Sequence, residues 1–141
     1  MYASDEAPTT RVALLSEPEC ARFLASHSVG RVAWQAADGQ QILPVTYVFR
    51  SGLVYFRTAP HGILSELVRL TDVAFEVDDV DQDRRSGWSV VVGGQARAVV
   101  APSEIAQMLA TDTLVPWAPG GRTLLIQIKP SRIRGRQLRR A

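Results

Sequence analysis

Three β-type runs follow one another between Arg31 and Thr58 with only tight turns between them, and no other feature restricts the fold of this chain as much. The runs are RVAWQ, QILPVTYVF and LVYFRT. Asp38-Gly39 separates the first pair, a strong two-residue hairpin signal, and Ser51-Gly52 separates the second. Connections this short join antiparallel neighbours, because a parallel pair needs a crossover of a dozen residues or more. Residues 31–58 therefore read as a three-stranded antiparallel meander. Pro44 lies inside the middle run and has no N–H to donate. Its stretch is expected at an edge, at a bulge, or opposite something other than a strand.

The remaining apolar runs extend the same pattern. DVAFEVD reads as a strand, and the acidic turn DVDQDRRSG leads into SGWSVVVGGQARAVV, a long strand. Gly93-Gly94 inside that strand predicts a bulge or sharp bend. RTLLIQIKP reads as a final strand. Three short helices are inserted. In LLSEPECARFLASH, Ser16 and Glu19 have capping-box spacing and Pro18 falls in the first turn. Cys20, Phe23 and Leu24 then share one face, and Gly30 closes the unit. HGILSELVRL carries an apolar stripe of Ile63, Leu64, Leu67 and Val68. PSEIAQMLA is expected to be capped by Ser103, with Ile105, Met108 and Leu109 inward. Six strands in a row with helices inserted, rather than βαβ alternation, predict a mostly antiparallel β fold: a small barrel with short helices at its ends.

A chain of 141 residues suits one domain. Residues 1–11 are polar and are expected to fray, leaving 12–141 as the domain. The single cysteine, Cys20, excludes an internal disulfide and reads as a small core residue. The opening residues lack the pattern of a signal peptide and no apolar run is long enough to span a bilayer, so the expectation is a soluble, cytoplasmic protein. Net charge is only +2, but the charges are segregated. Lys129, Arg132, Arg134, Arg136, Arg139 and Arg140 form a basic C-terminal tail, and the stretch from Glu66 to Asp83 is acidic. No aromatic residue is interleaved with the arginines to stack bases, which favours a solvated tail or an arm for an anionic ligand over nucleic acid.

Few residues carry chemistry of their own. Asp79, Asp81 and Asp83 imitate the start of a calcium loop, but Arg84 stands where glycine is needed and Val90 where the closing glutamate is needed. His27 and His61 have no partner at metal-ligand spacing, and neither a Gly-x-Gly-x-x-Gly loop nor a Walker loop is present. An enzyme built on this chain would borrow its chemistry from a cofactor. Arg57-Thr58 offers a guanidinium and a hydroxyl at a strand end just before a helix, which suits a phosphate. Tyr47, Trp88 and Trp117 are large rings that either pack the core or wall a planar ligand.

Taken in order, GRVAW, ILPVTYVF, GLVYFRTA, VAFEVDDVD, GWSVVVGGQA, PWAPGG and IKPSRIRGRQL resemble the pyridoxamine 5′-phosphate oxidase-like family, the flavin-binding split barrels, from Gly30 to about Leu138. The resemblance implies a six-stranded antiparallel split barrel that forms homodimers, with two cofactor sites between subunits. FMN is the usual cofactor; some branches use a deazaflavin and distant relatives bind haem. Carried over by motif, Pro44, Val45, Thr46 and Tyr47 face the ring, largely through backbone groups. Arg57 and Thr58 match the phosphate-binding strand end. Trp88 and Ser89 match the segment that reaches the flavin from the other subunit, and Trp117 an aromatic near the pocket mouth. One departure stands out: Ile63 occupies a position where the family often has lysine. Losing a charged hydrogen bond there costs on the order of 1.5–3 kcal/mol, for which Arg57, His61 or a C-terminal arginine would compensate. The implied activity is hydride transfer between the flavin and a small-molecule substrate; the alternative is a flavin- or haem-binding protein without turnover.

Overall fold

A computed structural model describes residues 10–110 and 124–140. Among these, seven strands form one antiparallel sheet: β1 (Thr10–Leu15), β2 (Val29–Ala36), β3 (Gly39–Arg50), β4 (Leu53–Thr58), β5 (Thr71–Asp81), β6 (Ser86–Ala98) and β7 (Leu124–Arg140). The order is β1-β7-β4-β3-β2-β5-β6, and β6 pairs back onto β7. The ring β2 to β7 is thus the expected six-stranded barrel, with the meander β2-β3-β4 as one wall. β1 is an additional strand laid along β7.

Alternation fills the barrel. Val32 and Trp34 of β2, Val45 and Tyr47 of β3, Val54 and Phe56 of β4, Val73, Phe75 and Val77 of β5, Trp88, Val90 and Val92 of β6, and Ile126 and Ile128 of β7 form one core. Helix α1 (Glu17–Ala25) plugs one end with Cys20 and Leu24. Its capping box is complete: Ser16 Oγ accepts from Glu19 N–H at 3.3 Å, and the Glu19 carboxylate accepts from Ser16 N–H at 2.9 Å. Helix α2 (Pro102–Leu109) lies outside the ring, where Met108 packs with Tyr55, Val99 and Leu125.

Several sequence expectations are corrected. Thr10 and Arg11, expected to belong to a frayed end, are instead the first residues of β1 and pair with β7. The basic segment is no solvated tail: Lys129 to Arg140 is the second half of β7, held by β6 on one side and, near its end, by β1 on the other. Ser103 does not cap α2; Ala101 occupies that position without a side-chain bond, and Leu109 is exposed. Gly30 lies within β2, so close to the Phe75 ring that no Cβ would fit. The first hairpin turns on Ala37-Asp38, with Gly39 already paired to Ala36 at φ +128°. The HGILSELVRL helix is a 3₁₀ helix, Ile63–Val68, that buries only Leu67. The glycine pair does mark a bulge: Gly93 faces Arg132 and Gly94 faces Pro130, leaving Ser131 over, and its hydroxyl donates to the Gly93 carbonyl at 3.1 Å.

Candidate functional site

The barrel is split at β3. Gly39 to Thr46 pair with β2, and Tyr47 to Arg50 pair with β4. Each half of β3 is therefore open on one side. Pro44 lies in the half that lacks a β4 partner, which is where a residue without a donor is tolerated. Continuing the β3–β4 register past Tyr47 and Phe56 would bring Thr46 opposite Arg57 and Val45 opposite Thr58, but the strands separate there. β4 goes on beside β7 instead, with Arg57 paired to Leu125 and Thr58 to Leu124.

Strand alternation decides which side chains can meet a ligand in this opening. Pro44 and Thr46 point outward, next to the exposed Ile42. Val45 and Tyr47 point into the core. Tyr47 donates its hydroxyl to the Leu24 carbonyl at 2.5 Å and meets the Phe75 ring edge-on at 4.9 Å, and burial pushes its phenol well above the ordinary range. These two residues can serve a ligand only through their backbone. Thr58 and Arg57 likewise diverge: Thr58 shares the inward side with Phe56, whereas Arg57 shares the outward side with Tyr55 and Leu125. Thr58 is 1% exposed, and its hydroxyl has no hydrogen-bond partner among the described residues. His61 is exposed, and Ile63 is 44% exposed at the start of the 3₁₀ helix. A C-terminal arginine of the same chain is badly placed to supply the charge that the resemblance leads one to expect at Ile63, since Arg132 lies eight positions along β7 from the partner of Thr58.

Trp88 and Ser89 sit elsewhere. Trp88 pairs with Gln137 and Arg57 with Leu125, so twelve positions of β7 separate them, on the order of 40 Å of strand. Trp88 is 9% exposed, stacks on Phe23 with centroids 4.3 Å apart, and meets His27 edge-on at 4.8 Å. Its ring belongs to the core of the barrel, and Ser89 is the neighbour that faces out. Trp117 lies outside the described residues.

A second opening escaped the sequence reading. On the other side of β3, a cleft of about 650 Å³ is lined by Ser26, His27 and Ser28, by Val29 and Arg31 of β2, by Tyr47 to Phe49, and by Asp78. His27 Nδ1 lies 2.8 Å from Ser26 Oγ, and Nε2 lies 3.1 Å from the Asp79 carboxylate. Arg31 donates to Glu76 at 2.9 Å and reaches Asp78 at 3.7 Å. Burial, with Asp78 beside it, pushes the Glu76 carboxyl up to about 7 against the opposing pull of Arg31. These partners are some fifty residues apart in sequence, and no local spacing announces them. Among the described residues no cluster could hold a metal ion, and Asp81 of the calcium-like run instead accepts from Arg84 N–H.

Residues 16–137 match the family model described as pyridoxamine 5′-phosphate oxidase. The chain belongs to this family. An uncharacterized protein of Mycobacterium tuberculosis, Rv0080, is 36% identical over 126 residues, covering 86% of this chain and 82% of that protein. The FAD binding protein from Mycobacterium smegmatis superposes with a TM-score of 0.76 at 31% identity, covering 90% of this chain and 98% of that one. A Corynebacterium glutamicum protein provisionally named a pyridoxamine 5′-phosphate oxidase gives 0.76 at 34% identity, covering 92% and 95%. This chain has an opened β3, a buried threonine at the end of β4, and an exposed apolar Ile63 at the start of the 3₁₀ helix that follows. No described helix is long and apolar enough to cross a membrane.

Proposed function

We propose that this chain is a flavin-binding oxidoreductase that takes FMN or a deazaflavin in the opening between β3 and the end of β4, acts on a small-molecule substrate, and works as a cytoplasmic homodimer. The observation that carries the reading is Thr58. A hydroxyl buried without a partner costs about 1–3 kcal/mol, and such a group persists where a ligand satisfies it. A phosphate oxygen is a suitable acceptor for that O–H. The outward faces of Ile42, Pro44 and Thr46 offer a largely apolar floor for a planar ring, and the open backbone edge of β3 offers hydrogen bonds to its polar rim. The flavin-binding relative at 31% identity supports the same cofactor class.

A bound flavin supplies two-electron redox chemistry. The chain would hold its phosphate through Thr58 and the backbone that follows, orient the ring along β3, and exclude water beneath it through the packed core. No proton-transferring side chain faces this opening among the residues placed there, so the protein's part is positioning and electrostatics. The test is titration of the purified chain with FMN and with the deazaflavin, followed by visible absorbance. Saturable binding with a Kd below about 100 μM supports the reading, and failure of both ligands to bind in that range refutes it.

Ile63 favours a second reading, a carrier that holds flavin or haem without turnover. An exposed apolar side chain stands where the family often offers an ammonium. A bound, reduced flavin that reoxidises no faster than in buffer would decide for the carrier.

A further inference from the structure

A further cleft, of about 730 Å³, lies where the β5–β6 hairpin meets the end of β7. Trp88 faces the inside of the barrel, and its cross-strand neighbours are Asp79 on β5 and Gln137 on β7. Side chains paired across a sheet share a face, so this row lines the barrel mouth from within. The next inward row is Asp81 and Ser86, and two more positions along β7 bring Arg139 beside them. Carboxylates therefore stand on one wall of the cleft, and an amide and a guanidinium on the other. Two strand spacings, about 9.5 Å, separate the walls, with Ser86 and Trp88 between them.

The walls do not close on each other: among the described residues no ion pair joins Asp79 or Asp81 to Arg139. Each group has a local partner and spare capacity. His27 Nε2 engages one oxygen of Asp79 at 3.1 Å and leaves the other. Asp81 accepts from Arg84 N–H at 3.1 Å, while the Arg84 side chain stays 3.7 Å away. Arg139 gives Nε and Nη2 to the Gln137 side-chain oxygen, at 3.1 and 2.8 Å, which leaves Nη1 and the Gln137 NH₂ group to donate elsewhere. The Glu19 carboxylate, which feels the charge of Arg139, is committed to the α1 capping box. The two aspartates have no third ligand with which to hold a metal ion. A molecule carrying one charge satisfies one wall only. A molecule carrying both satisfies the two walls at once and brings no net charge into the cleft. We infer that this cleft binds a small zwitterion of the amino-acid class, with its ammonium against Asp79 and Asp81, its carboxylate against Arg139 and Gln137, and its side chain over Trp88. The site shares no residue with the opening between β3 and β4, so its test does not depend on flavin binding.

Three probes with one skeleton separate the two charges: L-phenylalanine, hydrocinnamate, which lacks the ammonium, and phenethylamine, which lacks the carboxylate. Each is titrated at neutral pH into the isotope-labelled full chain, and the NMR signals of the Gly87 amide and the Trp88 indole N–H report binding. L-Phenylalanine is expected to bind about tenfold more tightly than either single-charge probe. Arg139→Gln is expected to weaken L-phenylalanine about tenfold and to leave phenethylamine unchanged. Asp81→Asn is expected to weaken L-phenylalanine and phenethylamine and to leave hydrocinnamate unchanged. Both side chains are exposed, and the dispersion of each spectrum shows whether the variant folds. Signals that do not move up to about 20 mM L-phenylalanine overturn the site. A single-charge probe that binds as tightly as L-phenylalanine, or an Arg139→Gln chain that binds L-phenylalanine like the parent, overturns the zwitterion assignment.

Discussion

Replacing Thr58 by valine separates the cost of the buried hydroxyl from its use. Valine has nearly the same shape and the same preference for a strand, so the change removes an unpartnered O–H from a site that is 1% exposed and leaves the packing intact. Relief of the unsatisfied group should stabilise the ligand-free chain by about 1–3 kcal/mol. At roughly 2 cal/mol/K per residue, the unfolding entropy of this chain is about 0.3 kcal/mol/K, so the melting temperature should rise by about 3–10 °C. Flavin affinity should move the other way. Losing a hydrogen bond to a charged phosphate costs about 1.5–3 kcal/mol, or about ten- to a hundredfold in Kd. Calorimetry with and without saturating FMN reads both effects in one experiment: Thr58→Val melts higher than the parent when empty and gains less from FMN. A variant that melts lower when empty, or binds FMN as tightly as the parent, would refute the assignment of this hydroxyl to a ligand.

Other perturbations follow from the same geometry. Trp88→Ala should destabilise by about 3–5 kcal/mol in urea unfolding, because the ring fills core space against Phe23, while Ser89→Ala should stay within about 0.5 kcal/mol. Ser16→Ala opens the capping box and should cost about 1 kcal/mol by the same measurement. Glu76 binds its proton more tightly in the folded chain than when unfolded, so its contribution to stability is complete below about pH 4.5 and is lost as pH rises through about 7. Glu76→Gln should therefore flatten that part of the stability–pH curve; an unchanged slope between pH 5 and 8 would count against the burial of this carboxyl.

The meander, the capping box and the glycine bulge were legible because each depends on local rules: alternation, spacing and turn chemistry. β7 was legible only over its apolar first half. From Lys129 onward it alternates arginine with Ile133, Gly135 and Gln137, a composition that reads as solvated until β6 and β1 are known to flank it. Pairing with neighbours, more than intrinsic propensity, makes this segment a strand. β1 is short and depends on the same distant partner. Arg57 and Thr58 were found as a pair, but alternation sends their side chains to opposite sides of β4, which the sequence could reveal only once the inside of the barrel was known. The cleft around His27 was invisible because Asp78, which lines it, and Asp79 and Glu76, which bond to its His27 and Arg31, lie on a strand some fifty residues away.

β7 pairs with β1, β4 and β6, and no other described strand touches three neighbours. It also comes last among the described strands. As the chain leaves the ribosome, five of the six barrel strands emerge before the one that closes the ring, with β4 and β6 still presenting open edges to water. The core cannot be sealed until residues 124–140 arrive, so folding should be governed by long-range closure rather than by the fast local meander. The interval before closure is when this protein is most exposed to aggregation.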